Sequence, residues 1–387
     1  MGQWRVLVAE TITGTIVADI GPRDLPSFSR HLTDKGSWTV NVLPEDKANA
    51  SLDLHAYTAS GRYCWVVAYD EFIVQAGPVR TFQWDDSTRN LSVAGCGIQG
   101  LFDVRIVRNP TGTIAAMADA SNDLVITGVS LRGVARRIVG ANIEQPGYYL
   151  PLDLPASESG TNTRTYQGYD LATAWTRLDE LSKVENGPEL DFRPYFAGAN
   201  RIRWEMLIGN PLLGDQNSNA VWDYGGALGQ INVDVNGSVA PTTRAFAKGS
   251  GSERDSLIGY AENAAPIALG FPPTDFVNND HSAVTVLDTL TGYAKADLTA
   301  FAGPTETWTC AVRIDGTTTT GAAVSPALGF WALGDQPVFA MSGHPWITDG
   351  SYRRRILGYT DGATGGTSSA GSDAIVNLIV QPTVEVI

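Results

Sequence analysis

The chain reads as a mainly β fold with helical inserts. Three observations predict it. Short apolar–polar alternations recur along the sequence, separated by Gly, Pro, Asn and Asp turns. Only a few stretches show three-and-four spacing. Charged residues make up 18% of the chain against about a quarter in a typical domain. Together with 41 glycines, this balance suits covered sheets and many turns. At 387 residues the chain exceeds one core, so several domains are expected.

In the first module, residues 1–108, Arg5–Val8 and Thr15–Val17 form two early strands around Gly14. Trp38, Val40 and Val42 alternate with polar neighbours, and Pro44 ends that strand. In Tyr63–Tyr69, Tyr63, Trp65, Val67 and Tyr69 share one side while Cys64, Val66 and Ala68 share the other. Both faces are apolar, so the strand is central or covered at an interface. Phe72–Val74 returns beside it. Val79–Trp84 and Leu91–Val93 make a hairpin around Asp85-Asp86, acids that suit a turn without implying chemistry. Such short, evenly spaced strands predict a small barrel or sandwich.

An insert follows at 109–186. Leu131, Val134, Ala135 and Ile138 predict a short amphipathic helix, with Arg132, Arg136 and Arg137 off the stripe. Tyr148, Tyr149 and Tyr166 flank a polar loop and are residue types common at protein interfaces. The spacing of Leu171, Trp175, Leu178 and Ser182 predicts a helix over 169–184, ended by Asn186-Gly187-Pro188.

Beyond it the period becomes two. Ile202, Trp204, Met206 and Ile208 face one way in a strand paired with 191–195. This opens a module spanning 187–336. Asn236-Gly237 predicts a hairpin joining Ile231–Val235 to Thr242–Lys248. Leu287, Leu290, Ala294, Leu298 and Phe301 predict a helix within 282–301. Trp308, Cys310 and Val312 share a strand face that Asp315-Gly316 closes. Residues 337–387 continue as strands, with Ser351–Tyr359 as one run and a glycine- and serine-rich tip at 362–372. Arg353, Arg354 and Arg355 lie within that run. They are too few for a nucleic-acid surface and are expected to pair with acids of a neighbouring subunit.

The net charge of -14 argues against general affinity for nucleic-acid backbones or anionic membranes. No window approaches about 18 apolar residues, so no membrane span is expected. Glu10 and Asp19 interrupt any signal-peptide pattern in 1–20, which predicts synthesis in a cytoplasm. Three cysteines, Cys64, Cys96 and Cys310, make no disulfide framework. The four histidines have no metal-ligand spacing, and no nucleotide, Walker or nucleophile-elbow motif occurs. Glu205, Asp215, Asp223 and Asp234 could supply a carboxylate pair, but nothing distinguishes them from the other acids. No catalytic residue, cofactor or metal is expected.

Several segments, taken in order, resemble the tail hub or minor tail proteins of long-tailed bacteriophages. They are the hairpin VRTFQWDDSTRNLSVAGCGIQGLF, the helix and turn AWTRLDELSKVENGPELDFRP, the unit VLDTLTGYAKADLTAFAGPTETWTCAVRI, and GDQPVFA with ITDGSYRRRILGY. Gly334, Asp335, Arg355 and Ile356 match the pattern of a glycine and acid before a strand that ends in Arg and Ile. The resemblance implies a non-enzymatic structural protein of the virion tail tip. It implies two tube-like β-barrel domains, a helical insert and a small C-terminal β domain. It also implies a homotrimeric baseplate-hub ring joining the tail tube to the distal tip. Its partners would be the distal tail protein, the tube, the tape-measure protein and other tip proteins, with DNA passing through the lumen. No fused lytic domain is expected. Interface candidates are Tyr63, Trp65, Tyr69, Tyr148, Tyr149, Trp175, Arg353, Arg354 and Arg355. Two alternatives stand beside this reading. One is a receptor- or carbohydrate-binding module using Tyr148, Tyr149, Trp222 and Tyr224. The other is a tail-associated cell-wall hydrolase.

Overall fold

A computed structural model of the chain describes residues 3–184, 186–238, 241–282, 284–314, 326–362 and 375–384. The Asp315-Gly316 turn, nearly all of the glycine–serine tip and residues 385–387 lie outside these. The chain divides into two compact units, Met1–Gln230 with Ala311–Leu378, and Ile231–Cys310 with Ile379–Ile387.

The first unit begins with β1 (Trp4–Glu10), β2 (Ile16–Ile20), β3 (Ser27–His31), β4 (Ser37–Val42), the single turn α1 (Leu54–Tyr57), β5 (Tyr63–Tyr69), β6 (Phe72–Asp85) and β7 (Asn90–Gly95). It continues with β8 (Leu124–Val129), α2 (Leu131–Ile143), β9 (Leu152–Asp153), β10 (Asn162–Tyr166), α3 (Ala174–Ser182), β11 (Leu190–Phe196), β12 (Ile202–Ile208), β13 (Val221–Asp223) and β14 (Leu228–Asn236). The second unit holds β15 (Arg244–Lys248), β16 (Ile258–Glu262), the single turn α4 (Ala265–Ala268), β17 (Asp275–Asn278) and α5 (Leu287–Ala300). Then come β18 (Thr305–Arg313), β19 (Val338–Met341), β20 (Gly350–Arg353), β21 (Ile356–Asp361), β22 (Ile375–Val380) and β23 (Thr383–Val384). Strands β14, β18 and β22 each carry residues of both units.

The architecture is mainly β with helices, as the sequence predicts, but among the described residues no sheet closes into either of the two expected barrels. The long sheet follows the open path β14-β18-β22-β21-β3-β4-β7-β6-β5-β1-β2, and its end strands do not pair with each other. Closure requires the first and last strands to meet at a fixed stagger. Here β6 takes two partners in succession. Its first half pairs with β5, Tyr69 opposite Phe72, and its second half with β7, Trp84 opposite Leu91. Each pairing carries one register shift, which bends and twists the strands locally. Strand β23 pairs with β18 off this path, and the remaining strands of the described residues form four separate sheets of two or three.

The main core of the first unit lies where one face of β1 and β5 meets α2, α3, β11 and β12. Leu7, Cys64, Val66, Phe102, Ile138, Leu178, Phe192 and Trp204 all belong to it. In α2, Ser130 caps Gly133 N–H, and Val134, Ala135, Ile138 and Val139 turn inward. In α3, the Thr173 hydroxyl caps Thr176 N–H at 3.3 Å. The helix therefore starts at Ala174 rather than 169. Residues 168–170 form a 3-10 turn that ends in Leu171 at a left-handed φ of 50°.

The second unit is small. Its sheet has the order β16-β15-β17. Ala245, Ala247 and Ala261 face Leu290 and Ala294 of α5. Gly259 has no side chain where α5 crosses it, and a Cβ there would collide with the Leu290 backbone. The hairpin expected at Asn236-Gly237 does not form. Strand β15 pairs with β16 and β17, while β14 takes a place beside β18. The alanines give β15 a flat inner face for a close helix, and that tertiary demand overrides the local turn signal.

Candidate functional site

Two buried arginines tie distant parts of the first unit together. Arg30 on β3 reaches Asp191 on β11. Its Nη2 donates to Asp191 Oδ2 at 2.8 Å and Oδ1 at 2.9 Å, and its Nε to Oδ1 at 3.3 Å. Its Nη1 donates to the Tyr359 hydroxyl of β21 at 3.5 Å, and that hydroxyl donates onward to Val74 O of β6 at 2.9 Å. Burial opposes the Arg30 charge, but Asp191 and the Tyr359 oxygen more than offset it, so the guanidinium is held above its ordinary value. One fork of donors thus joins β3, β6, β11 and β21.

The second arginine is Arg355. Its Nη1 donates to Glu189 Oε1 at 2.7 Å, its Nη2 also meets Glu189, and its Nε donates to Gly334 O at 3.0 Å. Nη2 reaches Leu213 O at 2.9 Å as well. Arg353 donates to the carbonyls of Ser218 and Gln336, and Arg354 lies over the Tyr352 ring. The sequence reads Ser351–Tyr359 as one alternating run. The structure breaks it between Arg353 and Ile356, because Arg355 turns inward to its partners.

A cleft of about 880 Å³ opens beside the Arg30 network. Its aromatic lining includes Phe72, Tyr195, Phe330 and Trp331. Phe330 is 80% exposed, Phe72 45% and Tyr195 36%. Gly329 rests against the Phe72 ring, a contact a Cβ would block. Along one wall Arg203 chelates Asp153, with Nη2 to Oδ1 at 2.5 Å, and the Tyr195 hydroxyl donates to Asp153 Oδ2 at 2.5 Å. Those bonds, Arg203 first, hold the Asp153 carboxyl below its usual range. Asp153, followed by Tyr149, holds Arg203 above its own.

The interface candidates fall into different settings. Tyr63, Trp65 and Tyr69 are buried inside the chain. Trp65 stacks on Trp38 at 6.1 Å, Tyr63 meets Tyr57, and Tyr69 meets Trp4. Tyr148 is half-buried under the Arg105 guanidinium, and Trp175 is half-buried beside Lys35. Tyr149 is 52% exposed and adjoins the cleft wall through Arg203. Of the residues considered for sugar stacking, Trp222 is fully buried against Phe339, and Tyr224 packs on His344. Sequence reasoning missed the cleft and the Arg30 network. Their residues lie up to 329 positions apart and show no local pattern.

Among the described residues, no three His, Cys, Asp or Glu side chains gather as a metal site. No described helix is long and apolar enough to cross a membrane. The three cysteines form no disulfide. Cys64 is buried against Thr11, and burial pushes its thiol up to about 12. Cys310 is buried too, while Cys96 is half-buried. A thiol reagent applied to the native protein should therefore modify Cys96 well ahead of Cys64 and Cys310. Peptide mapping of the labelled chain reads the order, and equal rates at all three would contradict the packing.

No family model and no curated protein matches the chain. Solved structures do. The 43 kDa tail protein of prophage MuSo2 from Shewanella oneidensis aligns over 98% of this chain and 98% of its own, with TM-score 0.57 and 11% identity. The fold is similar to that of this tail protein. A tail protein from Neisseria meningitidis MC58 aligns over 97% of this chain and 96% of its own, with TM-score 0.50 and 13% identity. At such identities the likeness is one of fold, and it extends over nearly the whole length of the chain.

Proposed function

We propose that the chain is a structural protein of the phage tail, and within it a hub subunit of the tail tip. In this reading three copies form a ring that joins the tail tube to the distal tip and surrounds the channel for DNA. The carrying observation is the near end-to-end fold likeness to the MuSo2 tail protein. A shared core alone would align over part of each chain.

The buried arginine networks favour a load-bearing part. They lock strands that are distant in sequence through charge-assisted, geometrically fixed bonds. A net charge of -14 suits a lumen through which DNA slides without sticking. The distal tail protein, the tube protein and the tape-measure protein are the proposed neighbours, and no catalytic role is assigned.

Particle mass and electron-microscopy class averages test this, with the protein alone and mixed with its tube and distal tail proteins. A three-fold ring with a central hole is the expected result. A monomer in both preparations overturns the hub reading.

A further inference from the structure

The aromatic cleft of the first unit carries a second inference. Its arginines and most of its carboxylates cancel in pairs: Arg30 with Asp191, Arg193 with Glu205 and Arg203 with Asp153. Two lining acids remain, Glu71 and Asp335. Asp335 accepts the backbone N–H groups of Asp215 and Ala332, so its charge stays in place without a cation. Glu71 is exposed and makes no ion pair among the described residues. Beside these acids stand the open rings of Phe72, Tyr195 and Phe330, exposed to a degree that folding alone does not reward.

We propose that this cleft docks an extended, basic segment of another protein, seating an arginine or lysine side chain between Phe330 and Glu71. The chemistry selects that occupant. Aromatic faces attract a cation within about 6 Å of the ring centroid, and the aliphatic stem of Arg or Lys packs on the same rings. An anionic segment would be repelled by Glu71 and Asp335. A purely apolar one would strip water from both carboxylates with nothing in return. The cleft wall also suits an extended backbone. Strand β11 supplies Arg193 to Phe196 there and lies at the edge of its sheet, with β12 as its one pairing strand among the described residues.

The test is calorimetric titration of the full-length chain with a blocked peptide, Gly-Ala-Arg-Ala-Arg-Ala-Gly, and with its citrulline counterpart, which keeps the shape and loses the charge. The arginine peptide should bind saturably. Citrulline replacement, Phe330→Ser and Glu71→Gln should each weaken binding about tenfold. Both substitutions are at exposed positions, and circular dichroism confirms that each variant is folded. Equal binding of the two peptides, binding that ignores Phe330→Ser, or no saturation up to about 1 mM overturns the proposal. Self-association that disappears in Phe330→Ser overturns it too, by assigning the cleft to a second copy. The outcome does not depend on whether the chain forms a ring, so failure here leaves the hub reading intact.

Discussion

Arg30→Ala is expected to destabilise the first unit by about 3–5 kcal/mol, the usual cost of leaving one member of a buried ion pair alone. Both side chains of the Arg30–Asp191 pair are only 7% exposed, so water cannot readily replace the lost guanidinium. Urea unfolding followed by tryptophan fluorescence measures the loss. The double variant Arg30→Met with Asp191→Leu removes both charges and should recover most of it, since apolar residues of similar volume often replace a buried pair at little cost. A single variant within about 1 kcal/mol of the parent would mean that solvent reaches Asp191, and would remove the basis for treating the network as a lock.

Trp204→Ala is the second large effect, at about 3–5 kcal/mol, because a buried ring of that size leaves a cavity the neighbours cannot fill. Trp204 is fully buried on β12 in the main core, and its Nε1 donates to Ala76 O of β6 at 3.3 Å. The substitution therefore empties space and orphans a carbonyl together. Trp204→Phe keeps most of the volume and loses the hydrogen bond together with a smaller part of the packing, so it should cost about 1–3 kcal/mol. The ratio of the two losses separates packing from hydrogen bonding. If Phe and Ala cost the same, the cavity account fails.

Much of the fold was readable from period alone. Strand β12 alternates buried and half-buried residues from Ile202 to Ile208, as its sequence indicates. All seven residues of β5 are buried, which is what two apolar faces mean. Helix α5 falls within its spaced stripe, and α2 contains its stripe but runs on beyond Ile138 to Ile143. What failed depends on long-range pairing. A barrel and an open sheet use the same alternating strands, and only the identity of the end partners tells them apart. Strand β3 pairs with β21, a choice that nothing near either segment announces. The Asn236-Gly237 turn promised a hairpin, but the demand of α5 for an alanine face on β15 was stronger. The site was less legible than the fold. Tyr149 was picked out as exposed and aromatic, whereas Phe330 and Glu71 sit in stretches with no pattern to mark them.

The pairing of β3 with β21 also sets a timetable. On the ribosome β3 emerges early, and its Arg30 needs Tyr359, which is 329 residues away. At roughly 5–20 residues per second, that strand edge stays bare for tens of seconds. The large sheet cannot close over it until nearly the whole chain has been made. A nascent chain released before residue 356 has both Arg30 and Asp191 but lacks Tyr359 and β21, so the β3 edge stays open. An exposed strand edge of that kind is a template for pairing with other chains, so such a fragment is a substrate for chaperones and proteases.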